Sequence, residues 1–201
     1  MNAAPSLVLA SGSAARAALL RGAHIAFTVA PADVNENALK SEALARSETP
    51  SRLALLLADA KARAASARHA GALVIGADQV LECGGAVFSK PVDAAGAFAQ
   101  LRALSGRAHR LLSAVCVARD GVVSWRHLGE ARMTMRALPE AELTRYLAAA
   151  GPAVTRSVGA YQFEGLGANL FCAVDGDHAT ILGLPLLPLL GFLRAQGVSF
   201  S

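Results

Sequence analysis

Four consecutive apolar residues, Leu73-Val74-Ile75-Gly76, run almost directly into the polar pair Asp78-Gln79. The run reads as a buried strand, and it sets a condition on any fold of this chain. A carboxylate at the end of such a strand is strongly unfavourable unless it meets a cation, a metal or a hydrogen-bonding network. The fold must therefore bring a partner to Asp78, although an aspartate in that place also reads as an ordinary turn residue.

Other segments supply the surrounding frame. Leu7-Val8-Leu9-Ala10 is a second apolar run; it stops at Ser11-Gly12-Ser13, after which Arg16, Ala17, Leu19 and Leu20 follow a helical period, giving strand, tight loop and helix. A strand over His24 to Val29 leads into the polar loop Asp33-Val34-Asn35-Glu36. Thr49 before Pro50 predicts a capped helix to about Arg68, with Leu53, Leu56, Leu57 and Ala60 on one face. Gly84-Gly85 marks a turn, and Lys90-Pro91 closes that hairpin region. Asp93 caps a helix to about Leu104 that Ser105-Gly106 ends. Strands from about Leu111 to Ala118 and from Val122 to Met135 flank Asp120-Gly121 as a half-exposed antiparallel hairpin. Pro139 opens a short helix to Leu147, Gly-rich loops follow from Val158, and a Leu-rich helix begins near Pro185.

This alternation argues an α/β fold: a central mixed, twisted sheet with flanking helices, forming two lobes around a ligand cleft, the hairpin belonging to the second lobe. No repeat or linker divides the chain, so residues 1–201 read as a single domain.

Composition narrows the function classes. With 54% hydrophobic and 17% charged residues the chain is too apolar for disorder. Gly and Pro interrupt it too often for a membrane bundle, and the apolar stretch Ile181 to Leu193 is short and broken by Pro185 and Pro188. The N-terminal MNAAPSLVLASGSAARAALL lacks a basic leader region. We read a cytoplasmic protein with no membrane partner. The net charge of +4 is carried by scattered arginines without a dense run, which suits a small anionic ligand better than nucleic acid. Cys83, Cys116 and Cys172 have no CxxC spacing and lie in apolar contexts typical of buried thiols, so neither a disulfide frame nor a zinc site is expected.

Several residues stand out chemically. Ser11-Gly12-Ser13, between strand and helix, would aim backbone N–H groups and two hydroxyls at a phosphate on the helix N-terminus, with Arg16 adding a charged fork; the same turn also reads as a structural cap. Glu36 and Asp78 together suit a hard cation, Mg²⁺ or Mn²⁺, bound through oxygen. Against sixteen arginines the chain keeps three lysines, Lys40, Lys61 and Lys90. Lysine is a compact point charge, and we assign Lys61 and Lys90, but not Lys40, to phosphate oxygens. Glu164 sits in the Gly-bounded loop Tyr161-Gln162-Phe163-Glu164-Gly165-Leu166-Gly167, where its carboxylate suits the N1–H and exocyclic amine of guanine or is simply a solvated loop acid. His109 and His178 have no Ser or Cys nucleophile in a recognisable elbow beside them.

These residues fall into a familiar order. Leu9-Ala10-Ser11-Gly12-Ser13-Ala14-Ala15-Arg16, Asp33-Val34-Asn35-Glu36, Lys61-Ala62, Ile75-Gly76-Ala77-Asp78-Gln79-Val80, Lys90-Pro91, Leu104-Ser105-Gly106 with His109, Val158-Gly159-Ala160-Tyr161, Glu164-Gly165-Leu166-Gly167 and Ile181-Leu182-Gly183-Leu184-Pro185 together resemble the Maf-like nucleotide pyrophosphatases, over nearly the whole chain. The resemblance implies a homodimeric α/β fold and divalent-metal-dependent hydrolysis of a nucleoside triphosphate to the monophosphate and pyrophosphate. It makes Asp78 the proton acceptor, places Ser11, Arg16, Lys61 and Lys90 at phosphate-contacting positions, and puts Glu36 near the metal. Members acting on dTTP and UTP carry SPRR, a DT pair and a loop glutamine; here Ala15, Gln79 and Glu164 stand at those positions. Gln79 and Glu164 resemble the subfamily that hydrolyses 7-methyl-GTP, and both then belong to substrate binding. Ala14 and Ala15 depart from the proline and the bulky or basic residue seen elsewhere. The expected function is a 7-methyl-GTP pyrophosphatase; a dTTP/UTP pyrophosphatase and a non-catalytic nucleotide-binding regulator of septum formation are the alternatives.

Overall fold

The apolar run reaches further than its composition suggests. In the computed structural model, which describes residues 5–200, strand β3 spans Leu73–Cys83, so Asp78 and Gln79 lie in mid-strand and not at its end. The first four residues of the N-terminal stretch read above lie outside the described residues. β3 continues because a long partner holds it: β5 (Ala108–Arg119) pairs with it antiparallel from Val74↔Ala118 to Glu82↔Arg110. The short strand β4 (Ala86–Phe88) folds back on its end.

The sheet has seven strands in the order β2-β1-β3-β5-β6-β7, with β4 beside β3. β1 (Leu7–Leu9) runs parallel to both β2 (Thr28–Val29) and β3, while the remaining pairings are antiparallel, so the sheet is mixed as expected. β6 (Val122–Met135) leaves β5 through Asp120-Gly121, both at positive φ (49° and 78°). That backbone matches the twist of a two-residue hairpin turn, which Asp-Gly favours.

Helices cover both faces. α1 (Ala14–Gly22) follows β1 and is capped by Ser13, whose side chain accepts from the Arg16 N–H. α3 (Pro50–Ser66), with Thr49 as its cap, lays Leu53, Ala54, Leu57, Ala58 and Ala62 against the sheet in one core that includes Val80, Leu112 and Ala114. On the other face Leu73, Ile75 and Ala77 pack with α1 and with α7 (Leu186–Ala195). α4 (Ala94–Leu104) and α5 (Glu140–Ala150) close a further core around Leu81, Leu111 and Tyr161.

Four features depart from the sequence reading. The segment 24–29 contributes only Thr28–Val29 as strand, because β1 offers partners only at Val8 and Leu9, while His24 (φ 53°) and Ile25, whose N–H donates to the Leu20 carbonyl, stay in the turn that ends α1. Glu36 is the first residue of a helix, α2 (Glu36–Ala45), capped by Asn35, and not part of a loop. Within the Gly-rich last third lie β7 (Phe171–Asp175) and the four-residue helix α6 (His178–Ile181). Cys172, on the outer strand β7, is exposed and not a buried thiol.

Candidate active site

The site begins with a glycine. A Cβ on Gly76 would collide with the Ala58 carbonyl oxygen and the Ala62 nitrogen, so only glycine lets α3 lie this close to β3. Lys61, between those two alanines, is thereby laid over Asp78: Lys61 Nζ donates to Asp78 Oδ1 at 2.6 Å. Both side chains are about nine-tenths buried, and the cation is the partner that the carboxylate requires.

The same Nζ meets Glu36 Oε1 at 2.9 Å, so one ammonium joins two carboxylates. Partial burial opposes charge on Glu36. The hydrogen bond and charge of Lys61, with Lys40 and Lys90 beyond it, outweigh that and hold its carboxyl below the ordinary range. Lys40, which the sequence reading set aside, therefore acts on this carboxylate. Its signal was the Glu36–Lys40 spacing of four, which places the two on one helix face once α2 is recognised.

Ser11 and Arg16 form a second group beside the first. Arg16 is buried; its Nε donates to the Gly183 carbonyl at 2.8 Å, and its Nη1 to the Ala77 carbonyl at 2.8 Å and Ser11 Oγ at 3.0 Å. Burial pushes its pKa down, against the negative charges of Asp78 and Glu36, which push it up. Ser11 Oγ also accepts the Ser13 N–H at 3.3 Å. With two donors at its lone pairs, the hydroxyl is left to donate its own hydrogen. Arg16 is thus foremost a strut between β1, β3 and the loop before α7, a role legible only from the backbone carbonyls around it.

The specificity positions divide. Ala15 and Glu164 line one open cleft of about 590 Å³, whose walls are Ala14, Ala18 and Leu19 of α1 on one side and Leu182 and Leu186 on the other. Gln79 does not line it. It points to the face of β3 opposite Asp78, and its Nε2 donates to Ser113 Oγ at 2.9 Å and to the carbonyls of Thr180 and Ile181 at 3.2 and 3.0 Å. Lys90 is exposed after β4 and reaches the cluster through its charge on Glu36. The structure thus gathers Ser11, Arg16, Glu36, Lys61 and Asp78, with Lys90 at the margin. It brings Ala15 and Glu164 together in the adjoining cleft and sets Gln79 behind it. His109 is remote in character as well: it is buried, with Nε2 at 2.8 Å from the Tyr161 hydroxyl.

The assembled chemistry is two carboxylates bridged by a lysine, a buried guanidinium, a hydroxyl with a hydrogen to donate, and an apolar cleft with a single acid at its rim. The comparisons with known proteins agree with it. The family model described as "Maf-like protein" matches residues 6–196. A nucleoside triphosphate pyrophosphatase of Paramagnetospirillum magneticum is 55% identical over 190 residues, covering 94% of this chain and 98% of that protein. One of the same name from Bradyrhizobium diazoefficiens is 54% identical over 94% and 93% of the two chains. A 7-methyl-GTP pyrophosphatase of Mesorhizobium japonicum is 50% identical over 95% and 96%. A match along almost the whole length leaves one conclusion: this chain belongs to the Maf-like protein family.

Proposed function

We propose that the protein is a hydrolase of acid anhydrides that cuts a nucleoside triphosphate, 7-methyl-GTP in particular, into the monophosphate and pyrophosphate. The observation that carries this reading is Lys61 Nζ held between Asp78 and Glu36, at 2.6 and 2.9 Å, beside the buried Arg16. Two carboxylates that already converge on one cation fit a divalent metal: the donors are hard oxygens, and a Mg²⁺-like ion is commonly held by one or two carboxylates together with substrate phosphates. When bound, such an ion offsets negative charge on the phosphate oxygens as the anhydride breaks.

The chain's own residues do the rest. Lys61 and Lys90 neutralise phosphate oxygens, Ser11 donates its O–H to another, and Arg16 fixes Ser11 in place. Asp78 orients a water and takes its proton as the water oxygen bonds to phosphorus; the bond to the bridging oxygen breaks and pyrophosphate leaves. Ala15 and the α1 wall present small apolar surface to the base, while Glu164 accepts from the adjacent N–H groups of guanine. Relatives named for both the general and the 7-methyl-GTP activity support the class of reaction and the purine preference.

Purified protein with Mg²⁺ or Mn²⁺ is expected to release pyrophosphate from 7-methyl-GTP faster than from dTTP or UTP. Glu164→Gln lowers that preference by about tenfold, the worth of one well-placed base contact. Equal rates on purine and pyrimidine nucleotides reject the substrate assignment, and tight nucleotide binding without any metal-dependent turnover favours the regulator.

A further inference from the structure

We infer that the far wall of the Ala15–Glu164 cleft is set from behind by a polar clamp of Gln79, Ser113 and Thr180, which makes Ser113 a positioning residue for nucleotide selection. The inference rests on the proposed function only in taking that cleft as the base site.

α6 has four residues, too few for its own hydrogen bonds to fix it in place. Its position comes from its neighbours. Asp177 caps it, with Oδ1 accepting the Thr180 N–H at 2.8 Å and Oδ2 accepting the Thr180 hydroxyl. From the sheet, Gln79 Nε2 donates to the Thr180 and Ile181 carbonyls, and Ser113 Oγ donates to the Thr180 carbonyl at 2.8 Å while accepting from Gln79. Ser113 and Thr180 are fully buried, Gln79 is half-buried, and the exposed Asp177 carboxylate is the charged member of the network. On β6, Gly129 leaves the room: a Cβ there would lie 2.8 Å from both Thr180 Oγ1 and Pro185 Cγ.

The chain leaving α6 is the cleft wall itself. Leu182 follows Ile181 and lines the cleft, the Gly183 carbonyl holds Arg16 Nε, and Leu186 opens α7 and lines it again. Gln79 and Ser113 are absent from that lining, yet they anchor the segment immediately before it. Because packed segments shift as units and do not deform freely, loosening the clamp moves Leu182 relative to Ala15 and Ala18 and changes which base fits, while Asp78 and Lys61, on the other face of β3, stay where they are.

The test uses the full chain with Ser113→Ala, and Gln79→Glu as a second variant that keeps the side-chain shape but sets a carboxylate against two carbonyls. Affinities for 7-methyl-GTP, GTP and dTTP are measured calorimetrically without metal, and KM and kcat with Mg²⁺. Ser113→Ala is expected to weaken the preferred nucleotide by about fivefold or more in both Kd and KM, to change the others by less, and to leave kcat within about twofold, as loss of binding shared by ground state and transition state does. Gln79→Glu shifts the same ratios further. A merely structural Ser113 would lower the melting temperature and leave the ratios between nucleotides unchanged in both variants; that result overturns the inference. If the wild type binds nucleotide but releases no pyrophosphate, the pyrophosphatase reading fails, while the calorimetric ratios still decide the clamp.

Discussion

Asp78 and Gln79 are neighbours on one strand and face opposite ways, and the two faces of β3 solve the burial of polar groups by different means. Toward α3 lie charges: Asp78, Lys61 and Glu36, with the Glu82–Arg110 ion pair further along at 2.8 Å. Toward α1 and α6 lie mostly neutral groups, Gln79, Ser113 and Thr180, joined by His109 and Tyr161 in the neighbouring core, with Arg16 and the exposed Asp177 as charged exceptions. Ions held by one another can be exchanged for a charged substrate, because a phosphate oxygen is as good a partner for Lys61 as a carboxylate. Neutral hydrogen bonds in a dry interior have no such alternative and hold their elements still. Reactivity and rigidity are thus separated by a single peptide bond.

The largest expected effect tests the reactive face directly. Asp78→Asn keeps the side-chain shape, leaves the protein folded, and lowers kcat for pyrophosphate release by about 10² to 10⁴, the usual worth of a general base; full turnover by this variant would break the division of labour. The next effect is in stability. Desolvation lowers the His109 pKa from 6.5 to about 4. A base depressed in the folded state stabilises above its unfolded pKa, and that contribution is lost as the pH falls toward the folded value. Stability should therefore drop by roughly 3 kcal/mol between pH 6.5 and 4 on account of this one group, and His109→Gln should flatten that part of the profile in denaturant titrations. Glu36 and Glu82, both held below their ordinary 4.5, lose their contribution only at lower pH, so on acidification the contribution of His109 goes before theirs. The smallest effect probes the join. Gly76→Ala forces α3 off β3 and should cost about 1–3 kcal/mol, a melting shift of roughly 2–4 °C per kcal/mol. Turnover falls with it as Lys61 leaves Asp78, whereas unchanged activity would show that the close approach is incidental.

Legibility from sequence followed the strength of local signals. β3, α3 and the Asp120-Gly121 hairpin were readable because apolar runs, a Thr-Pro cap and a positive-φ turn each leave a local mark. α2 was not, since it buries Ala43 alone and shows no apolar stripe, and β7 was not, since four of its five residues are exposed at a sheet edge. At the site, the scarcity of lysine pointed to Lys61, which the structure places against Asp78. What could not be read was which way neighbours face and which backbone groups they meet. The partners of Arg16 and of Gln79 are largely carbonyls, and a carbonyl carries no residue identity.

Arg16 has a consequence for how the protein is made. Its Nε partner, the Gly183 carbonyl, is 167 residues further along the chain, and Ala77 is 61 residues away. A ribosome building the protein from its N-terminus releases the guanidinium long before it delivers the last acceptor. Until Gly183 has emerged, α1 has no complete seat. The seating of the first helix therefore waits for a late segment, and a chain cut before Gly183 lacks the acceptor that fixes Arg16 Nε.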